Sequence, residues 1–130
     1  MTGRNSEAVD AHQTAVALSP QDASVHCNLG VALQELGRFD EAEASLRQAI
    51  VLRSDSAEAH NNLGATLEKL GRFNEAEASL RQAIALKPDF IAAWDNLLFT
   101  LNYDPRLSSA ELYREYEGYG AFVSSAKVQQ

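Results

Sequence analysis

The sequence predicts an all-α fold, a stack of antiparallel helix pairs with about seven helices, and three observations predict it. The first is an internal period of 34: residues 36–52, LGRFDEAEASLRQAIVL, return as residues 70–86, LGRFNEAEASLRQAIAL, with changes only at Asp40/Asn74 and Val51/Ala85. A period of this length suits one supersecondary unit that buries its apolar face only against its neighbours. The second is apolar spacing of three and four within a unit, as in Leu29, Ala32, Leu33 and Leu36, then Ala42, Leu46, Ala49 and Ile50, the pattern of amphipathic helices. The third is a break between those runs at Gly37-Arg38-Phe39-Asp40 and Gly71-Arg72-Phe73-Asn74, where a glycine can take the left-handed conformation that ends a helix.

The phase of the repeat places each element. Residues 7–20 align with 75–88, so the chain opens on the second helix of an incomplete unit, 6–20. Val9, Val16 and Leu18 of that helix lack a first helix to cover them, which predicts an edge open to a second copy of the chain. Two full units follow at 23–56 and 57–90. Asp40 and Asn74 are expected to cap the second helices, with Glu43 and Glu77 returning the bond three residues on. Gly30, Ala42 and Ala49, repeated as Gly64, Ala76 and Ala83, are the small residues expected where helices cross closely. A degenerate third unit supplies one helix at 91–104, with Trp94, Asn96, Leu97 and Leu101 in the places of His60, Asn62, Leu63 and Leu67. Asp104-Pro105 breaks the pattern, because proline has no amide donor and biases its predecessor away from helix. Ser108-x-x-Glu111 then opens a helix over 108–126, whose Leu112, Tyr113, Tyr116, Tyr119 and Phe122 form a stripe suited to capping the stack.

Composition bounds the function. The 130 residues, 45% hydrophobic and 22% charged, suit one domain with a real core and exclude a disordered tail. Eighteen acidic against eleven basic residues give a net charge of −7, which repels phosphate backbones and anionic headgroups, so neither nucleic acid nor a membrane is an expected partner. A single cysteine, no zinc spacing, no apolar leader and no apolar run of spanning length point to a reducing, cytoplasmic setting. No cofactor and no metal are expected. His26 and His60 stand on parallel helices roughly 10 to 20 Å apart, too far to share a zinc ion, and Trp94 occupies the equivalent place, which favours packing. Cys27 lacks a base, since His26 points about 100° away on the helix. No phosphate loop and no nucleophile motif are present, so the chain is not expected to be an enzyme.

The spaced residues His26-x₂-Leu29-Gly30-x₂-Leu33…Ala42-x₃-Leu46-x₂-Ala49 and His60-x₂-Leu63-Gly64-x₂-Leu67…Ala76-x₃-Leu80-x₂-Ala83…Pro88 resemble the tetratricopeptide repeat. The resemblance is strong over 23–90, and it implies a right-handed superhelix with the first helix of each pair on the concave side. Asn28, Asn62 and Asn96 then recur once per unit along that side. An amide both donates and accepts, so such a ladder can hold the backbone of an extended peptide whatever its sequence; local packing is the other reading of the same residues, and both stay open here. By the same resemblance the groove is lined by Cys27, Val31, Gln34 and Glu35, then Asn61, Ala65, Glu68 and Lys69, then Asp95, Phe99, Asn102 and Tyr103. Members that clamp a chaperone's terminal carboxylate use paired cations there, and only Lys69 is available. A narrower likeness covers residues 96–122, which look like the join between repeats and catalytic region in bacterial proteins similar to the O-linked N-acetylglucosamine transferases. Tyr116 and Tyr119 depart from it, standing where a His and a Trp are expected. The implied functions are a non-catalytic scaffold for a protein or peptide segment, the substrate-recruiting part of a longer glycosyltransferase, or a self-assembling module that forms a homo-oligomer through its first helix.

Overall fold

The computed structural model describes residues 2–103 and 109–129, with side chains over 6–103 and 110–120. The described residues form seven helices and no strand: α1 Thr2–Leu18, α2 Ala23–Glu35, α3 Phe39–Leu52, α4 Ala57–Lys69, α5 Phe73–Leu86, α6 Ile91–Asn102 and α7 Ser109–Gln129. The first helix starts earlier than the periodicity suggests. The Asp104-Pro105 break and the capping Ser108 lie outside the described residues.

Each hairpin turns on a glycine. Gly37 and Gly71 have φ of 77° and 78°, and with open space around both it is backbone, not crowding, that selects glycine. The Gly37 amide donates to the Gln34 carbonyl at 3.0 Å and the Arg38 amide to Leu33 at 2.9 Å. Gly71 to Glu68 and Arg72 to Leu67 repeat the pair at 3.0 and 2.9 Å. These are the two bonds of a Schellman ending, and they leave a link of three residues. The expected caps at Asp40 and Asn74 are therefore not formed. Helices α3 and α5 begin at Phe39 and Phe73, so Asp40 and Asn74 already lie in the first turn, while Arg38 and Arg72 hold the cap position without a side-chain capping bond. Glu43 accepts from Arg47 and Arg72 instead, and Glu77 from Arg81. Side-chain caps do occur at the first helices, where Asp22 accepts from Ser24 and Ser56 from Ala59.

The small residues sit where close crossing needs them. A Cβ on Gly30 would lie 2.6 Å from Leu46 Cγ, and one on Gly64 2.6 Å from Leu80 Cγ and 3.3 Å from the Ala76 carbonyl oxygen. Ala42, Ala49, Ala76 and Ala83 are buried with Leu46 and Leu80. The core is a chain of small clusters rather than one centre: Val9, Leu29, Ala32, Leu33 and Ala42, then Leu46, Leu63, Leu67 and Ala76, then Leu80, Leu97 and Leu101.

Val9 is 2% exposed and Val16 packs partly against the first cluster. Only Leu18 is left out, at 79% exposure, so α2 already covers the apolar side of α1. Among the described residues the edge that the sequence assigns to Val9, Val16 and Leu18 is thus reduced to Leu18.

Candidate functional site

The three first helices form a continuous inner row. Helix α2 touches α4 and α4 touches α6, whereas α1 with α3, α3 with α5, and α5 with α7 come no nearer than 8 Å between Cα atoms. A stack whose one row is in contact and whose other row is splayed curves toward the contacting row. The outer row is bridged by side chains only, through Arg72–Glu43 at 2.7 Å, Arg47–Glu75 at 3.9 Å and Arg81–Glu115 at 2.7 Å.

The inner seam is stitched by amides at one repeat position. Asn62 Nδ2 donates to Cys27 Sγ at 3.8 Å, and Asn96 Nδ2 donates to Asn61 Oδ1 at 3.0 Å. Both bonds reach 35 residues back, to the preceding first helix. Asn28, on the first of the three described inner helices, is exposed. Asp95, at the same position as Cys27 and Asn61, receives the Tyr119 hydroxyl from α7, which raises the tyrosine pKa. Helix α7 thus supplies the bond that an asparagine makes elsewhere.

Of the twelve lining positions expected, Asn61 is buried as a partner of Asn96. Cys27, Val31, Gln34, Ala65 and Glu68 are half-buried, and Glu35, Lys69, Asp95, Phe99, Asn102 and Tyr103 are exposed. Burial pushes the Cys27 thiol up, Asn62 opposes it and Glu58 adds to it, which leaves a poor nucleophile. Burial likewise raises Glu68 above the usual carboxylate range, against a hydrogen bond from Thr100 at 3.1 Å and the charge of Lys69. Asn102 donates to the Tyr116 hydroxyl at 2.7 Å. Phe99 and Tyr103 pack with centroids 4.9 Å apart, Tyr103 stacks on Phe73 at 6.2 Å, and the pair stays 46% and 58% exposed. Next to Asn28 and Cys27, between the starts of α2 and α4, lies a polar cleft of about 340 Å³ that also meets Glu58, Arg53 and Lys87.

Two features were hidden from sequence reasoning. His26 and His60 Nε2 lie 2.8 and 3.0 Å from the carbonyls of Pro20 and Ser54, and Trp94 Nε1 donates to that of Pro88 at 3.0 Å. All three rings bind the carbonyl six residues back, closing the loop that leads into each first helix. The available signal was that histidine and tryptophan share a ring N–H. The second is the split of the C-terminal stripe. Leu112 joins the last cluster and Tyr119 packs on Trp94 at 6.1 Å, whereas Tyr113 and Tyr116 are 64% and 41% exposed. The Phe122 side chain lies outside the described residues. Among the described residues no group of three or more His, Cys, Asp or Glu is placed to hold a metal ion, and no helix is long and apolar enough to cross a membrane.

Comparison with known proteins agrees with this architecture. No curated protein matches by sequence. Among solved structures, MamA superposes with a TM-score of 0.88 at 21% identity, covering 99% of this chain and 74% of that one. A Thermobaculum terrenum O-GlcNAc transferase mutant gives 0.78 at 26% identity, over 82% of this chain and 21% of that one. The first repeat domain of Spaghetti (RPAP3), bound to the HSP90 peptide SRMEEVD, gives 0.74 at 23% identity, over 78% and 80%. Two family models match, one described as tetratricopeptide repeat over residues 21–89 and one as TPR repeat over 2–37. With its paired helices, its glycine-ended turns and a family match over more than half its length, the chain belongs to the tetratricopeptide repeat family.

Proposed function

We propose that this chain is a non-catalytic scaffold whose inner face, made by α2, α4 and α6, takes an extended segment of a partner protein. In this reading residues 23–56 and 57–90 are the two complete units, 91–104 the partial third, and 108–126 the end cap. The observation that carries it is a row of accessible side chains on one continuous face, from Asn28 and Val31 through Ala65 to Phe99 and Tyr103. The aromatic pair offers rigid contact area and the amides offer backbone hydrogen bonds. Asn62 and Asn96 each spend one of their two amide hydrogens on the seam, so in the ladder they keep one N–H and the carbonyl oxygen for a peptide, and Asn28 is the rung with its whole amide free for a ligand. A relative in the same fold holds an HSP90 peptide, which supports a peptide-binding role for the face. Titrating a fluorescent peptide library against the chain and against the N28A/F99A double variant tests it. Loss of most binding in the variant is expected, and undiminished binding removes the inner face from the argument.

A second reading is the recruiting segment of a larger glycosyltransferase. It is favoured by the likeness of residues 96–122 to a repeat-to-catalytic join and by the similarity to the Thermobaculum terrenum enzyme over 82% of this chain. Sequencing the gene beyond the codon for Gln130 decides it: a following pair of α/β nucleotide-sugar domains is expected, and a stop codon there sinks it.

A further inference from the structure

The inner row and the outer row treat charge differently. Arg38, Arg47, Arg53, Arg72 and Arg81 all stand on the outer helices or connecting turns, and each is held in an ion pair with a nearby carboxylate. Helices α2, α4 and α6 carry four carboxylates, Glu35, Glu58, Glu68 and Asp95, against one cation, Lys69. Among the described residues none of those four joins an ion pair; Glu68 accepts from Thr100 and Asp95 from Tyr119, both neutral donors. The two cations at the rim of the cleft beside Asn28 are already engaged, Arg53 with Asp55 at 3.2 Å and Lys87 over the Phe90 ring at 5.1 Å. The face is therefore a line of excess negative charge, four carboxylates to one lysine, that ends on an exposed aromatic pair, Phe99 and Tyr103.

We propose that the segment taken by this face is basic, with lysine or arginine side chains interleaved with apolar ones. The proposal rests on the inner face being the binding surface and adds the chemistry of its ligand. A cationic side chain gains from the carboxylates of the row and from the faces of Phe99 and Tyr103, while its aliphatic stem covers Val31 and Ala65. An acidic tail meets the opposite: four carboxylates and a single lysine, with no paired cations to clamp its terminus.

The test uses the full chain and three fluorescein-labelled peptides of one length. One alternates lysine with leucine and tyrosine, one replaces its lysines by glutamine, and one replaces them by glutamate. Fluorescence anisotropy is expected to give binding of the lysine peptide about tenfold tighter than the glutamine peptide at low salt, the margin shrinking as salt rises. The E35Q/E58Q variant is expected to lose most of that margin. The E7Q/D40N variant, which removes two charges from α1 and α3, is expected to keep it, and loss of the margin there too reduces the effect to net charge and overturns the proposal. Equal binding of lysine and glutamine peptides, both abolished by F99A, also overturns it and leaves the inner face standing. If none of the three peptides binds, both this proposal and the inner-face reading fall.

Discussion

At the scale of single residues, two glycines that look alike in the repeat do different work. Gly30 leaves room for Leu46, so Gly30→Ala overpacks the hairpin and is expected to cost about 1–3 kcal/mol. Gly37 has open space around it but a φ of 77°, so Gly37→Ala is expected to cost about 1 kcal/mol through backbone strain alone. Urea unfolding checks both, and a compensating Leu46→Ala change rescues only the first in its packing. Two glutamates give opposite pH signatures. Burial alone would raise Glu43, but hydrogen bonds from Arg72 and Arg47 outweigh it and hold the group low. Its contribution is present above the unfolded carboxylate pKa and is lost as pH falls through the folded value. Glu68 is raised, so its contribution is present below the unfolded pKa and is lost as pH rises through the folded one. Glu43→Gln is thus expected to lower the urea midpoint at pH 7, by about 1 kcal/mol in stability, and to flatten the acid limb. Glu68→Gln, which keeps an acceptor for Thr100, is expected to raise the midpoint at pH 7 and to leave it unchanged near pH 3.

At the scale of elements, α7 closes the stack by imitation. Its Tyr119 reaches Asp95 as Asn62 and Asn96 reach Cys27 and Asn61, and its Glu115 holds Arg81 at 2.7 Å. Tyr119→Phe removes the donor and keeps the ring on Trp94, so it is expected to loosen the docking of α7 on α6. Amide hydrogen exchange in α6 should quicken, while exchange in α3 and α4 should not. The helices themselves were legible in the sequence because a 34-residue repeat shows each apolar stripe more than once. The turn between paired helices was legible only in part. Glycine marked the end of one helix, but Asp40 and Asn74 drew the start of the next toward an ordinary capping residue. The Schellman bonds spend Arg38 and Arg72 as both the last residue of one ending and the first of the next start, and no side-chain preference announces that. At the candidate site, the period gave the asparagine positions, while their direction across the seam to Cys27 and Asn61 depends on how neighbouring pairs stack.

At the scale of the whole molecule, the core is divided into clusters that join only neighbouring helices, so stability is a sum of local terms rather than one cooperative block. Hydrogen exchange is expected to be slowest in α3, α4 and α5, which have partners on both sides, and to quicken toward α1 and α7; uniform protection along the chain would contradict it. The contrast between the rows has a mechanical side. The inner seam is direct contact between helices, whereas among the described residues the outer helices are moored to one another by the ion pairs Arg72–Glu43, Arg47–Glu75 and Arg81–Glu115. Between the outer moorings lies an apolar cleft of about 380 Å³ lined by Ile50, Val51, Leu63 and Ala78. The stack resembles a hinge with stays on its convex side: added salt is expected to slacken the ion pairs before the apolar seam and so to change the curvature, which small-angle X-ray scattering across a salt series checks.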